Sequence, residues 1–285
     1  MKKRSLFYRQ LKERGMVFVS LFALSIALGG MFWILGTTCL NGFSVLSWDF
    51  LTEPSKPYGI EPAGIGNALA GTFCITFAAA LIALPPALAG GIWLAEYGKN
   101  KRFANMVRFG ANTMMGIPSI ITGLFIYAVF VVPAGHFSGF AGSLALAIIM
   151  LPIIMRTTED MLLLVPNSIR EAALALGMNR FRTTVKIVCR SARNGLITGI
   201  MIALARVGGE TAPLLFTALY ANTWCEHFFS GPTPNVPVLI TEYATNSPYD
   251  LQHAQGWGAA LIMMIFLLMI NIGVRHFFAA KEYSK

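Results

Sequence analysis

Arg206 and Glu210 stand four residues apart inside a run, 196–220, that carries no other charge. A charge near the centre of a bilayer costs about 2.5–3.5 kcal/mol on insertion scales, so such residues mark functional positions by default. At about 1.5 Å per helical residue, Arg206 falls roughly 15 Å into the run, with Glu210 one turn further on the same face. An i,i+4 pair of opposite sign partly neutralises itself. Gly208 and Gly209 leave the intervening backbone bare, and Pro213 frees the carbonyl of Gly209. Two readings stand side by side. The pair is an internal ion pair that locks this helix to a neighbour, or Arg206 offers a bidentate donor to a transported oxyanion. In the second reading Glu210 holds Arg206 while the site is empty or shapes a gate. Because Glu210 opposes anion entry, that site needs donors beyond Arg206.

A second constellation lies upstream, in Pro166-Asn167-Ser168-Ile169-Arg170-Glu171-Ala172-Ala173-Leu174-Ala175-Leu176-Gly177. Ser168 with Glu171 three residues later is a capping-box pattern, which predicts a helix from about Ile169. Alanine, leucine and glutamate propagate it, and Gly177 ends it in a left-handed conformation after about two turns. A further helical stretch is expected over 180–192, its basic residues suited to an anionic lipid surface. Such a short helix serves either as a handle for a motor protein or as an amphipathic element lying on the membrane.

The elements that position these groups follow from composition. The 285 residues are 55% hydrophobic and 12% charged, against about 25% charged in a soluble domain. Six apolar runs, near 16–40, 65–94, 107–132, 138–155, 196–220 and 256–274, each approach the roughly 20 residues that a helical span needs. The first is too long for a signal-peptide core and lacks a small-residue cleavage site, so it reads as a retained span. Twenty of the 22 lysines and arginines fall in the N-terminal segment, the loops after runs two and four, and the tail. The alternate loops hold only Lys56. Positive charge gathers on the cytoplasmic side, which places both termini there. Pro85, Pro86, Pro118, Pro152 and Pro213 lie in or near spans, where the carbonyls they free need partners from neighbouring helices or a watery cavity. Small residues, among them Gly90, Gly91, Gly195 and Gly199, favour close helix packing.

Several classes fall away. The charge of +9 is distributed as a membrane protein's rather than a nucleic-acid binder's. Cys39, Cys74, Cys189 and Cys225 have no metal-ligand spacing; Cys39 and Cys225 both lie near the outer face, without a spacing that supports a disulfide. His136, His227, His253 and His276 sit in loops or at span ends, which leaves no Ser–His or paired His–Glu centre for an intramembrane enzyme. The chain has no G-x-x-x-x-G-K-[ST] loop for ATP. A signalling or scaffolding protein would use the 166–177 helix but leave Arg206 and Glu210 without purpose. The loop 221–258, which holds Glu226, Glu242 and Asp250 but no basic residue, reads as a solvated cap.

Glu171-Ala172-Ala173, three residues before Gly177 and nine more before Ile187, resembles the EAA loop of ABC-importer permeases. Where that pattern continues Ile-x-Leu-Pro, this chain has Ile187-Val188-Cys189-Arg190. The stretch from Ala203 to Ala218, with Arg206-Val207-Gly208-Gly209-Glu210-Thr211-Ala212-Pro213 at its centre, resembles the fifth span of phosphate-importer permeases. Trp93-Leu94-Ala95-Glu96-Tyr97-Gly98, Pro118-Ser119-Ile120-Ile121-Thr122-Gly123-Leu124-Phe125 and Arg156-Thr157-Thr158-Glu159-Asp160-Met161 are similar to the same family. The resemblance implies an all-α, polytopic bundle of six transmembrane helices with the methionine-permease-like fold of type I importers. The domains are then a cytoplasmic basic N-terminal segment 1–15, a six-span permease domain 16–274 that includes a cytoplasmic coupling loop 156–194, and a cytoplasmic tail 275–285, which on its own residues reads as a membrane-edge anchor. Arg206, Glu210 and Thr211 would serve translocation or gating, and Glu171, Ala172, Ala173 and Gly177 would couple to an ATPase. The implied partners are a second permease subunit, an ATPase dimer that binds the ATP, an extracytoplasmic phosphate-binding protein and membrane lipid, with no nucleic acid and no cofactor held by this chain. It implies a multi-pass subunit of a bacterial inner membrane with no enzymatic activity of its own. A permease for phosphonate, tungstate or molybdate remains the alternative.

Overall fold

The computed structural model describes residues 6–99 and 101–279, and among them every regular element is helical. The order is α1 (Leu6–Gly42), α2 (Trp48–Thr52), α3 (Gly66–Glu96), α4 (Arg102–Gly116), α5 (Ser119–Ala134), α6 (Gly139–Leu163), α7 (Asn167–Ala175), α8 (Arg180–Gly208), α9 (Ala212–Thr217), α10 (Val236–Thr245) and α11 (Asp250–Ala279). Five of these, α1, α3, α6, α8 and α11, are each long and apolar enough to cross a membrane. The expected third span is instead two helices: α4 and α5 qualify only together, as a pair bent by 99°. Pro118 is the cause. It excludes its predecessor from the helical region, and Ile117 accordingly turns extended, at φ −73° and ψ 130°.

The centre of the bundle is the contact between α3 and α6. Ile75, Ala79, Ala83 and Ala87 recur every four residues on one face of α3 and bury against Leu146, Met150 and Ile154, likewise every four residues on α6. Stacked i,i+4 rows of this kind are the ridges along which helices pack. Close approach rests on small residues, as expected: a Cβ on Gly91 would lie 2.6 Å from both the Met155 carbonyl oxygen and the Thr158 Cβ. On α8, Gly195 faces Met161 and Gly199 faces Thr157, which holds α8 against the same helix, α6. Pro85, Pro86 and Pro152 sit inside helices that continue through them. By contrast α1 buries none of its apolar stretch against the rest of the chain and meets chiefly α11.

Three boundaries differ from those read in the sequence. The fifth span starts at Arg180, not near 196, so the predicted 180–192 helix is the first part of α8. A wide π-helical turn at Thr183–Val188 carries the chain through Ile187-Val188-Cys189-Arg190 without a break, because no proline stands there to stop it. The segment between the two long helices therefore narrows from the expected 156–194 to 164–179. The same helix stops at Gly208, so 209–220 is not part of it.

The outer loop 221–258 is more than a solvated cap. Asn235 caps α10 by accepting the Val238 N–H at 3.0 Å, and Val236, Leu239 and Tyr243 bury with Phe50, Ile65 and Ala68. Asn67, at the start of α3, accepts the Ser55 N–H at 2.9 Å and donates to the Thr223 carbonyl at 3.2 Å. This network draws the loop across α3. It also brings Cys225 against Cys74 rather than Cys39; burial first, and then the neighbouring Cys74 thiol, push the Cys225 thiol up to about 11. The basic residues at 2–4 and the tail from 280 onward lie outside the described residues.

Candidate functional site

The break between α4 and α5 opens a cleft of about 580 Å³. Its walls are the end of α4 (Met114, Met115), the start of α5 (Ser119, Thr122, Phe125), the middle of α6 (Ile148, Ile149, Ile153), and Arg206 with Glu210. The lining is apolar apart from two hydroxyls and the two charged groups. Arg206 is exposed and Glu210 is half-buried. Ile149 and Ile153 lie at mid-length of the 25-residue α6, so the cleft sits at mid-depth in the bundle.

The two charged residues reach this cleft by a route that the sequence spacing did not show. Arg206 is in the last turn of α8, while Glu210 lies beyond its end, with its N–H bonded to the Val207 carbonyl at 3.1 Å. They do not share a helical face. Among the described residues no ion pair joins them, so the internal-lock reading fails. Helix termination explains the difference: Gly208 and Gly209 are poor helix residues, and Pro213 cannot donate to the Gly209 carbonyl. Pro213 instead opens α9, in the first turn, where its missing N–H costs nothing. Thr211 precedes α9 and accepts the Leu214 N–H at 3.0 Å with its carbonyl; its side chain does not line the cleft.

The remaining donors come from residues quoted for family likeness but given no role from the sequence. Ser119 and Thr122 stand at the first turn of α5, whose N-terminus has no side-chain cap. Free N–H groups and the helix dipole there favour an anion. Gly123 lets α9 close on α5, since a Cβ at that position would meet Pro213 Cα at 2.6 Å. The cleft thus gathers one guanidinium with five donors, two hydroxyls and a helix N-terminus, groups suited to a compact oxyanion, with the Glu210 carboxylate beside them.

The 166–177 helix also forms, with one difference. α7 starts at Asn167 after Pro166, so Ser168 lies within its first turn and makes no cap; the capping box is absent. Gly177 adopts φ +82°. Its N–H bonds to the Leu174 carbonyl at 2.9 Å, and Met178 N–H to that of Ala173 at 3.2 Å, a Schellman ending. Glu171 and Ala172 are exposed and Ala173 is buried.

Two ion clusters went unread in the sequence. Glu159, 1% exposed, accepts from Arg108 Nε at 2.7 Å and from Arg156, joining α4 to α6. Arg170 pairs with Glu96 at 2.7 Å. Each contact spans at least 51 positions of sequence except Arg156–Glu159, so no local spacing announces them.

Five separate spans, one broken span, a mid-depth apolar cleft holding two charged groups and an exposed helix between two spans define a polytopic transport permease. The chain belongs to the family of binding-protein-dependent transport system inner membrane components, whose pattern matches residues 87–281, and it is a multi-pass inner-membrane protein. It is 42% identical over 276 residues to the phosphate transport system permease protein PstA of Haemophilus influenzae, covering 97% of each chain. It is 37% identical over 282 residues to PstA of Yersinia pestis, covering 99% of this chain and 95% of that one. In fold it resembles an inward-facing MetNI methionine ABC transporter chain, with a TM-score of 0.62 at 19% identity over 75% of this chain and 94% of that one.

Proposed function

We propose that this chain is one permease subunit of an ATP-driven importer of inorganic phosphate, forming half of the translocation pathway. The observation that carries this reading is the meeting of Arg206 with Ser119, Thr122 and the α5 N-terminus in one mid-depth cleft. The full-length likeness to phosphate permeases supports phosphate over phosphonate, tungstate or molybdate, which the same donors would accept.

Arg206 lines the cleft and is exposed there, which fits a second permease subunit supplying a further wall. A phosphate-binding protein delivers from the lysine-poor side, and both termini lie in the cytoplasm, where the positive charge gathers. An ATPase dimer on that side supplies the ATP chemistry, and this subunit is not itself an enzyme. Glu171, Ala172 and Gly177 shape the element that seats in the ATPase, and Ile169, Leu174 and Leu176 leave apolar area uncovered on it. Alternating access follows: closure of the ATPase dimer moves α7, and the spans rock so that the cleft faces one side and then the other. Glu210, on the short link rather than on α8, shifts with α9 and gates the anion by its charge.

The test is ATP-dependent uptake of labelled phosphate into vesicles that hold the assembled complex, with Arg206→Ala beside the parent. Uptake is expected to collapse while assembly persists. Unaltered uptake would remove Arg206 from the pathway, and a parent that ignores phosphate but takes up another oxyanion would overturn the substrate.

A further inference from the structure

Glu96, in the stretch 93–98, has no place in the cleft. It is the last residue of α3, at the opposite end of that helix from the outer layer. One of its oxygens, Oε1, accepts both Nε and Nη2 of Arg170, at 2.9 and 2.7 Å. Arg170 lies in α7 and also donates to the carbonyls of Leu162 and Val165. Leu162 lies in the last turn of α6, and Val165 lies just beyond the end of that helix. The two side chains are only 14% and 11% exposed. A single guanidinium thus joins α7 to the ends of both α3 and α6.

The neighbouring residue strengthens this grip. Tyr97 lies under the guanidinium of Arg180, 5.8 Å from its ring centroid, so the end of α3 holds both α7 and the first residue of α8. Exposed ion pairs contribute little. This one is largely removed from water, forked, and charge-assisted, which makes it short and directional.

Beyond Glu96, α3 and α6 are packed along their length through Ile75, Ala83, Leu146 and Ile154, and α6 carries Ile149 and Ile153 into the cleft wall. We propose that the Arg170–Glu96 contact is the mechanical link that imposes a displacement of α7 on the α3–α6 pair, and so on the cleft. Both are positioning residues; neither touches the anion. The proposal rests on the reading that α7 seats in the ATPase. It differs from it in assigning transmission, rather than docking, to Arg170 and to a residue 74 positions away.

The test uses the complete complex in vesicles and measures phosphate uptake and ATP hydrolysis in the same preparation. Glu96→Gln keeps the side-chain volume but removes the charge. It is expected to lower phosphate taken up per ATP hydrolysed by about fivefold or more, the lower range of typical coupling between sites, with the ATPase still bound. Glu96→Asp restores most of the ratio. An unchanged ratio in Glu96→Gln, or uptake and hydrolysis falling in equal proportion, overturns the link. Should Glu96→Gln fail to assemble, Arg170→Lys decides by the same ratio, since lysine keeps the charge and loses the fork. Leu174→Glu, on the exposed part of α7, tests docking separately. If the ATPase still copurifies with it, the docking reading fails, and that result is read from binding rather than from the ratio.

Discussion

At Arg206 the chemistry depends on where a helix stops. Had α8 run on to Glu210, the guanidinium would have had a carboxylate one turn away on its own face, and an arriving anion would have had to displace it. With the glutamate beyond the helix end, the donors stay directed into the cleft. Replacement by lysine keeps the charge and loses the planar fork. Cys225 offers an independent check on the outer loop, which Asn67 and α10 hold over α3. Its thiol is pushed up to about 11, and a raised value means fewer thiolates at any pH below it. Maleimide labelling of Cys225 at pH 8 is therefore expected to run at least about tenfold slower than that of a free thiol and to climb toward pH 11. Cys74→Ser removes one cause and speeds the reaction. Labelling at the rate of a free thiol would show that the loop does not fold back.

At the scale of elements, the spans are held by backbone approach more than by side-chain volume. Gly91 sits where α3 crosses α6, so Gly91→Ala should force the helices apart and cost about 1–3 kcal/mol, as overpacking does. Gly110, in α4, has nothing within 4 Å of a built Cβ. There the same substitution relieves the entropic penalty of a helical glycine and should gain up to about 1 kcal/mol. Thermal unfolding of the two variants in one detergent separates them: opposite signs support the packing, and equal shifts refute it. Glu159 ties α4 to α6 in a related way, by two guanidinium groups around one buried carboxylate. That clasp fixes the inner half of the broken span, while Gly123 fixes the outer half against Pro213. The cleft is the gap between these two attachments.

At the scale of the molecule, the distribution of charge and the fold make one joint prediction about orientation. Tyr58 and Leu176 are both exposed, 54% and 84%, and lie on connections that the charge pattern assigns to opposite sides. In a background without the native cysteines, Leu176→Cys should react with a membrane-impermeant thiol reagent only in inside-out vesicles, and Tyr58→Cys only in right-side-out ones. The reverse pattern would invert the assignment of both termini. In the proposed assembly, the same orientation would put Arg170, Glu96 and Tyr97 on the side of the ATPase, and the Asn67 network on the side of the binding protein.

Composition and run length were enough for the class, because a bilayer offers no partner for backbone groups, only helices and closed barrels satisfy them, and uninterrupted apolar runs of about 20 residues suit helices. The charge pattern, the left-handed Gly177 and the close-packing glycines were legible for the same reason: each is a local property of a residue or of its spacing. What sequence left open was decided by contacts distant along the chain. Pro118 and the Gly208-Gly209 pair permit a break locally, but proline alone does not dictate one, so whether each break is taken was not legible from the sequence. A proline sits in α3 and α6 without a break, but marks one between α4 and α5. The cleft exists only because the broken span lies against the end of α8. Its hydroxyl donors, Ser119 and Thr122, are about 85 residues from Arg206 in sequence, a juxtaposition that only packing in three dimensions creates.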